Sequence, residues 1–175
     1  MLSAKRNADE QRVWIGLGAN LGDAAKTFLA VTHYLSDSLK ELRASSLYIT
    51  RPFGDTDQGN FTNAVISGIC PLEPIGLLRL LQHIENQLGK RKLRSNGPRV
   101  IDLDILFWGN RILKFNDLQI PHPRATERDF VLLPMYELDP HWIDPVNGKS
   151  IEELLLSLDE HYFTGLRYSW PNSFQ

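Results

Sequence analysis

Gly97-Pro98-Arg99-Val100-Ile101-Asp102-Leu103-Asp104-Ile105-Leu106-Phe107-Trp108 decides the reading of this chain. From Val100 onward the stretch is apolar, partly β-branched and periodic in two, the pattern of a strand. Ile101, Leu103, Ile105 and Phe107 fall on one face, which is expected to enter a core. Asp102 and Asp104 fall on the other. Two residues along a strand rise roughly 6.6 Å, so the carboxylates stand side by side. Two bare charges at that spacing repel by roughly 2–3 kcal/mol at an effective dielectric near 20. An otherwise apolar strand that keeps both is expected to supply a positive partner. Mg²⁺ fits, because it takes hard carboxylate oxygens and shares them with phosphates. The alternative is a solvated sheet face that carries two aspartates and nothing more.

The flanks add cations and an aimed histidine. Upstream lies a basic loop, Lys90, Arg91, Lys92 and Arg94, and then Arg99. A charge run is ordinarily a solvated surface, but cations beside an acidic strand are what a Mg²⁺-bridged phosphate chain requires. Before that loop, Pro74 suits a helix first turn, Leu77, Leu78, Leu81, Ile84 and Leu88 form its apolar face, and Gly89 closes it. Gln82 and Glu85, three apart, are expected on its polar stripe. Downstream, Gly109-Asn110 is a turn, and a short strand is expected within Ile112 to Ile120. Pro121-His122-Pro123-Arg124 is a rigid corner that presents His122 and Arg124. Arg128 and Phe130 open a short helical segment, and Ser150-x-x-Glu153 is a capping box for a helix over Ile151 to Leu158.

Nearer the N-terminus, Val13 to Leu17 reads as the first strand, followed by a turn-rich stretch through Asp23. Asp23 can cap a helix whose face is Phe28, Val31, Leu35 and Leu39. Gly16-x-Gly18 lacks the third glycine of a dinucleotide fingerprint, since Leu21 holds that place, and no Gly-Lys-Ser/Thr occurs. Ala44 to Thr50 is predicted as the second strand and Phe61 to Ile69 as the third. Arg51 to Asn60 between them is longer than a hairpin needs, as binding loops are, and Phe53 and Phe61 bracket it.

The 175 residues, 42% hydrophobic and 23% charged, suit one globular domain with its own core. We expect a disordered leader over 1–12, a single domain over 13–158 and a C-terminal tail over 159–175. A net charge of −2 supplies no field for nucleic acid or anionic membrane. The single cysteine, Cys70, excludes a disulfide framework or a cysteine zinc site within the chain. No run approaches 18 apolar residues and Met1 to Arg12 lacks an apolar stretch, so the cytoplasm is the expected compartment.

The element order is β-α-β-β-α-β with extra elements after it. This is the α+β ferredoxin-like arrangement: an antiparallel sheet with helices on one face, extended by C-terminal elements. The uncovered face is where the two aspartates, the basic loop and the Phe53–Phe61 loop can gather.

Ile15-Gly16-Leu17-Gly18-Ala19-Asn20-Leu21-Gly22, Asn63-Ala64, Gly97-Pro98-Arg99-x-x-Asp102-x-Asp104, Pro121-His122-Pro123-Arg124 and Arg128-x-Phe130-Val131-Leu132-x-Pro134 occur in that order. Together they resemble the 6-hydroxymethyl-7,8-dihydropterin pyrophosphokinases of folate biosynthesis, from about Val13 to about Glu153. The resemblance implies transfer of diphosphate from ATP to the hydroxymethyl group of the pterin, with release of AMP. It implies that Asp102 and Asp104 hold two Mg²⁺, and that Arg99, His122 and Arg128 complete the catalytic set. It places ATP at Gln82, Glu85, Lys92, Arg94, Arg99, Ile105, His122 and Arg128, with Ile105 contributing its backbone. It places the pterin at Thr50, Phe53, Phe61, Asn63, Asp102 and Phe130, stacked between Phe61 and Phe130. The implied partners are these two small molecules, with no nucleic acid or membrane, and a monomer is expected.

The chain departs from the family pattern in four places. Asn96 stands where many members have tryptophan, Pro123 where tyrosine is frequent, Lys90 where arginine is usual and Asp117 where some members carry arginine. Two other function classes are weighed beside the kinase. A metal-dependent phosphodiesterase would need further carboxylates near the pair. An RNA-binding ferredoxin-like domain would stack bases on the open sheet, where Asp102 and Asp104 would repel the backbone.

Overall fold

The computed structural model describes residues 11–54, 57–90 and 97–171. Strand β1, Gln11–Ala19, runs antiparallel to β4, Phe61–Cys70, on one side and to β5, Asp102–Trp108, on the other. Strands β2, Lys40–Ala44, and β3, Leu47–Thr50, both pair with β4, and β8, Phe163–Tyr168, pairs with β3. The sheet order β5-β1-β4-β3-β8 contains the expected ferredoxin-like unit. Strands β6, Leu113–Lys114, and β7, Gln119–Ile120, form a separate small hairpin.

Helices α1, Ala24–Ser36, and α2, Pro74–Gln87, cover one face. Asp23 caps α1, its side chain accepting from Lys26 N at 3.0 Å. Phe28, Val31 and Leu35 of α1 and Leu77, Leu81 and Ile84 of α2 meet Val13, Ile15 and Leu17 of β1 in a dry core. On the opposite face, α3, Asp129–Leu138, and α4, Ile151–Leu156, cover one end of the sheet. There Val131, Leu132 and Met135 pack on Trp14, Val65, Leu106 and Phe107. The other end of that face stays open as a cleft. The Ser150–Glu153 capping box forms as expected, although α4 ends two residues early, at Leu156.

Four expectations need correction. Gln11 and Arg12, assigned to the leader, open β1, because β4 reaches far enough to pair with them. The strand expected over Ala44 to Thr50 begins earlier and breaks at Ser45-Ser46. Ser45 Oγ takes the Val65 N–H there, and Glu137 holds Ser46 N and Oγ at 2.9 Å each. Phe107 does not follow Ile101, Leu103 and Ile105 into the first core. The pairing of β5 with β1 shifts register between Trp14 and Ile15, so a bulge at Leu106 turns Phe107 to the second core and Trp108 to the first. Residues 163–168, expected in a tail, form the edge strand β8. Among the described residues no helix is long and apolar enough to cross a membrane.

Candidate active site

Residues opposite each other in an antiparallel pair project to the same side of the sheet. Gly18 lies opposite Asp102 and Gly16 opposite Asp104. The Gly16-x-Gly18 pattern therefore marks a cleft floor and not a dinucleotide turn. A Cβ on Gly18 would come within 3.2 Å of Asn63 Oδ1, so glycine keeps the space beside Asp102 and Asn63 clear. A cleft of about 280 Å³ opens above this floor.

Ten of the expected residues line it: Thr50, Phe53, Phe61, Asn63, Arg99, Asp102, Asp104, His122, Arg128 and Phe130. They come from β3, β4, β5 and the start of α3, together with the loops that follow β3, precede β5 and follow β7. Asn63 is buried on β4 and donates Nδ2–H to Thr50 Oγ1 at 2.8 Å. Its Oδ1 is directed toward Gly18.

Asp102 is bound by two cations. Lys90 Nζ lies 2.7 Å from Oδ1, and Arg99 Nη1 lies 2.8 Å from Oδ2. Asp104 makes no hydrogen bond or ion pair among the described residues. Burial first, and then the Asp102 charge, push its carboxyl up to about 6. The charges of Arg128 and Lys90 pull the other way without cancelling this rise. Two carboxylates opening on a polar cleft, with water or phosphate left to complete a shell, match the donor preference of Mg²⁺.

The rim is cationic. Arg128 is half-buried, and burial together with Arg124 lowers its proton affinity. Its Nε–H is buried with no acceptor among the described residues, a donor that an incoming oxyanion would satisfy. Arg99 lies 5.4 Å from the Phe61 ring centre, and Arg128 lies 5.4 Å from that of Phe130 and 5.1 Å from that of Phe53. Guanidinium groups therefore stand on the aromatic faces. Burial and the neighbouring Arg128 and Arg124 charges hold His122 down to about 4, so it is neutral at pH 7.

Three expected residues lie outside the cleft. Glu85, expected on a polar stripe with Gln82, is only 7% exposed. Its Oε1 accepts from Lys90 Nζ at 2.6 Å and from Leu103 N, on the edge of β5, at 2.7 Å. The chain after α2 folds Lys90 back over Glu85, which removes it from solvent. Gln82 is exposed on α2. The Ile105 side chain is in the first core. Leu103 N points away from β1, so by alternation the Ile105 N–H lies on the same outer edge. Lys92 and Arg94, and the departure at Asn96, lie outside the described residues.

Sequence reasoning missed the roles of three other groups. Arg51 and Arg124 also line the cleft, the latter 5.2 Å from the Phe53 ring centre. Only the corner at 121–124 hinted at Arg124. Asn20 accepts from Arg99 N at 2.8 Å and donates to Gln58 Oε1 at 2.9 Å, tying two cleft loops together. Tyr162 packs on Phe53 and Phe130 from behind, with ring centres 5.5 and 6.0 Å away. Nothing in the local pattern around Tyr162 announces that placement.

A model of the 7,8-dihydro-6-hydroxymethylpterin-pyrophosphokinase family matches residues 14–140. The chain is 39% identical over 161 residues to the folic acid synthesis protein fol1 of Pneumocystis carinii, covering 91% of this chain but 22% of that protein. Against that relative, and against the corresponding Dictyostelium discoideum protein at 24%, it spans less than a quarter of the length. It is also 37% identical over 150 residues to the 2-amino-4-hydroxy-6-hydroxymethyldihydropteridine pyrophosphokinase of Methylorubrum extorquens, covering 85% of this chain and 94% of that one. The fold matches the crystal structure of wild-type Plasmodium falciparum HPPK-DHPS with a TM-score of 0.65 at 15% identity, over 86% of this chain and 45% of that one. From the length of the family match and the near-complete overlap with the bacterial relative, the chain belongs to the 7,8-dihydro-6-hydroxymethylpterin-pyrophosphokinase family.

Proposed function

We propose that this chain transfers the β,γ-diphosphate of ATP to the hydroxymethyl oxygen of 6-hydroxymethyl-7,8-dihydropterin, giving AMP and the pterin diphosphate, a step in tetrahydrofolate biosynthesis. One observation carries the reading. A carboxylate pair, Asp102 and Asp104, opens beside two glycines onto a cleft rimmed by Arg99, Arg124 and Arg128 and flanked by Phe61 and Phe130. Anion-binding and aromatic-binding surfaces meet at the metal-ligand pair, as a transfer between a triphosphate and a flat heterocycle requires.

Asp102 and Asp104 are the residues to hold two Mg²⁺, which when bound would neutralise the triphosphate and favour an in-line approach of the hydroxyl. Arg99 and Arg128 then turn from the ring faces of Phe61 and Phe130 toward the phosphates, and the unpartnered Arg128 Nε–H gains an acceptor. His122, neutral, donates one hydrogen bond to a phosphate oxygen. The vacated ring faces receive the pterin in an offset stack. Asn63, fixed by Thr50, offers its Oδ1 and its second N–H to the pterin edge, and the backbone around Phe53 closes that side. Glu85 and the Ile105 backbone share the outer edge of β5 with Leu103, and Gln82 lies one helical turn before Glu85, so the adenosine end is assigned there. Lys92 and Arg94 are assigned to the phosphates by resemblance alone.

The test is product analysis. AMP should appear only when ATP, Mg²⁺ and the hydroxymethyl pterin are all present, and Asp104→Asn should be folded and inactive. Release of ADP, or phosphate-ester hydrolysis that proceeds without the pterin, rejects the reading.

A further inference from the structure

The family match ends at residue 140, yet the segment around Tyr162 reaches the back of the cleft. Asp129 sits between two cleft residues, Arg128 and Phe130, and is 1% exposed. Its Oδ2 accepts from the backbone N–H of Tyr162 at 2.6 Å and of Phe163 at 2.8 Å. A carboxylate taking two amide donors is a strong, directional pin. The sheet holds the same segment from the other side. Arg51 N donates to Tyr162 O at 2.9 Å, and Thr164 Oγ1 donates to Ile49 O at 2.9 Å.

These bonds set the Tyr162 ring. It meets Phe53 at 5.5 Å, tilted by 60°, and Phe130 edge-on at 6.0 Å and 77°. Phe53 follows β3 and Phe130 opens α3, so no local structure relates the two rings. Tyr162 and Arg128 each touch both rings, and of the two only Tyr162 lies outside the cleft lining. The Tyr162 hydroxyl donates to Glu160, so its contacts with Phe53 and Phe130 are those of the ring alone.

We propose that Tyr162, pinned by Asp129, is a positioning residue for the flat pterin. It orients Phe130 and Phe53 before the substrate arrives, and so sets affinity for the aromatic substrate while leaving the nucleotide alone. The inference rests on the pyrophosphokinase reading of the same cleft. It gives the segment that leads into β8, beyond the family match, a part in substrate selection. A purely structural role would lower the melting temperature without separating the two substrates.

The experiment measures AMP release for wild type, Tyr162→Ala and Tyr162→Phe, varying each substrate at saturation of the other. Fluorescence titration with 6-hydroxymethylpterin, in Mg²⁺ and a non-hydrolysable ATP analogue, is run in parallel. Tyr162→Ala should raise the pterin KM and dissociation constant about tenfold, as expected for losing two aromatic contacts. The KM for ATP and kcat should stay within about twofold. Tyr162→Phe should restore wild-type values, and Asp129→Asn should show a weaker form of the same split. An unchanged pterin KM, a rise shared equally with ATP, or a fall in kcat alone overturns the proposal. A wild-type protein that releases no AMP refutes the pyrophosphokinase reading instead. In that case the titration still decides for Tyr162, since it needs no turnover.

Discussion

Lys90 Nζ stands 2.7 Å from Asp102 Oδ1 and so occupies one side of the carboxylate assigned to metal. The same ammonium lies 2.6 Å from Glu85. Burial alone would weaken its hold on the proton, but the two carboxylates outweigh that and keep it charged. Glu85, raised by burial, depends on this contact and on the Leu103 N–H. Lys90→Met is therefore expected to destabilise the protein by about 2 kcal/mol, the order of cost for stranding a buried carboxylate. Lys90→Arg should recover most of it. Urea unfolding at pH 7 measures both, and a Lys90→Met midpoint equal to wild type would remove Lys90 from the network.

Asp104→Asn should be more stable than wild type at neutral pH. Its carboxyl is raised to about 6 by burial and by Asp102, so the folded state binds the proton more tightly than the unfolded chain does. Stability from this group is then present at low pH and declines as pH rises from about 4 to about 6. Above that window the ionised form costs on the order of 2 kcal/mol, which the amide does not incur. Melting temperatures of the two proteins should converge near pH 4 and separate by pH 7. A variant less stable than wild type at pH 7 would contradict the assigned burial of charge.

His122 carries the opposite slope. It is held down to about 4 by burial and by Arg128 and Arg124, so the unfolded chain protonates first as pH falls. Stability from this group is intact above the unfolded value near 6.5 and is lost as pH drops toward 4. In wild type this loss partly cancels the gain from Asp104. His122→Asn should therefore gain stability on acidification across that window relative to wild type. Parallel pH–melting curves for the two proteins would sink the prediction.

The legibility of the sequence followed the range of the interactions. The first core, the caps at Asp23 and Ser150 and the acidic pair depend on residues a few positions apart, and periodicity carries them. The bulge at Leu106 depends on how β1 pairs with β5, so the period of two continues in the sequence while the backbone departs from it. Glu85 reads as a surface residue because its two partners, Lys90 and Leu103, come from other segments. Strand β8 has mostly exposed side chains, and it is held by pairing with β3 and by hydrogen bonds from Phe163 N to Asp129 and from Thr164 Oγ1 to Ile49 O, none of which leaves an apolar pattern. The motif glycines at 16 and 18 are visible in the sequence, but their purpose depends on Asp102 and Asp104 lying opposite.

Asn20 tests whether loop registration is part of the machinery. Its backbone N–H and that of Leu21 donate to Arg99 O at 3.0 and 3.2 Å, and its Oδ1 takes the Arg99 N–H at 2.8 Å. The Arg99 peptide is thus gripped on both sides, while the Asn20 amide donates to Gln58 of the loop after β3. Asn20→Ala keeps the two backbone bonds and deletes the side-chain ones. Stability should fall by about 1 kcal/mol, the net worth of such bonds. Activity should fall further, by about tenfold in kcat, because Arg99 must meet a phosphate at a set position. The double variant with Arg99→Ala separates the routes. If Asn20 acts through Arg99, removing both loses little more than removing Arg99 alone, as interacting positions do. Fully additive losses would show that Asn20 acts through Gln58 and the loop after β3.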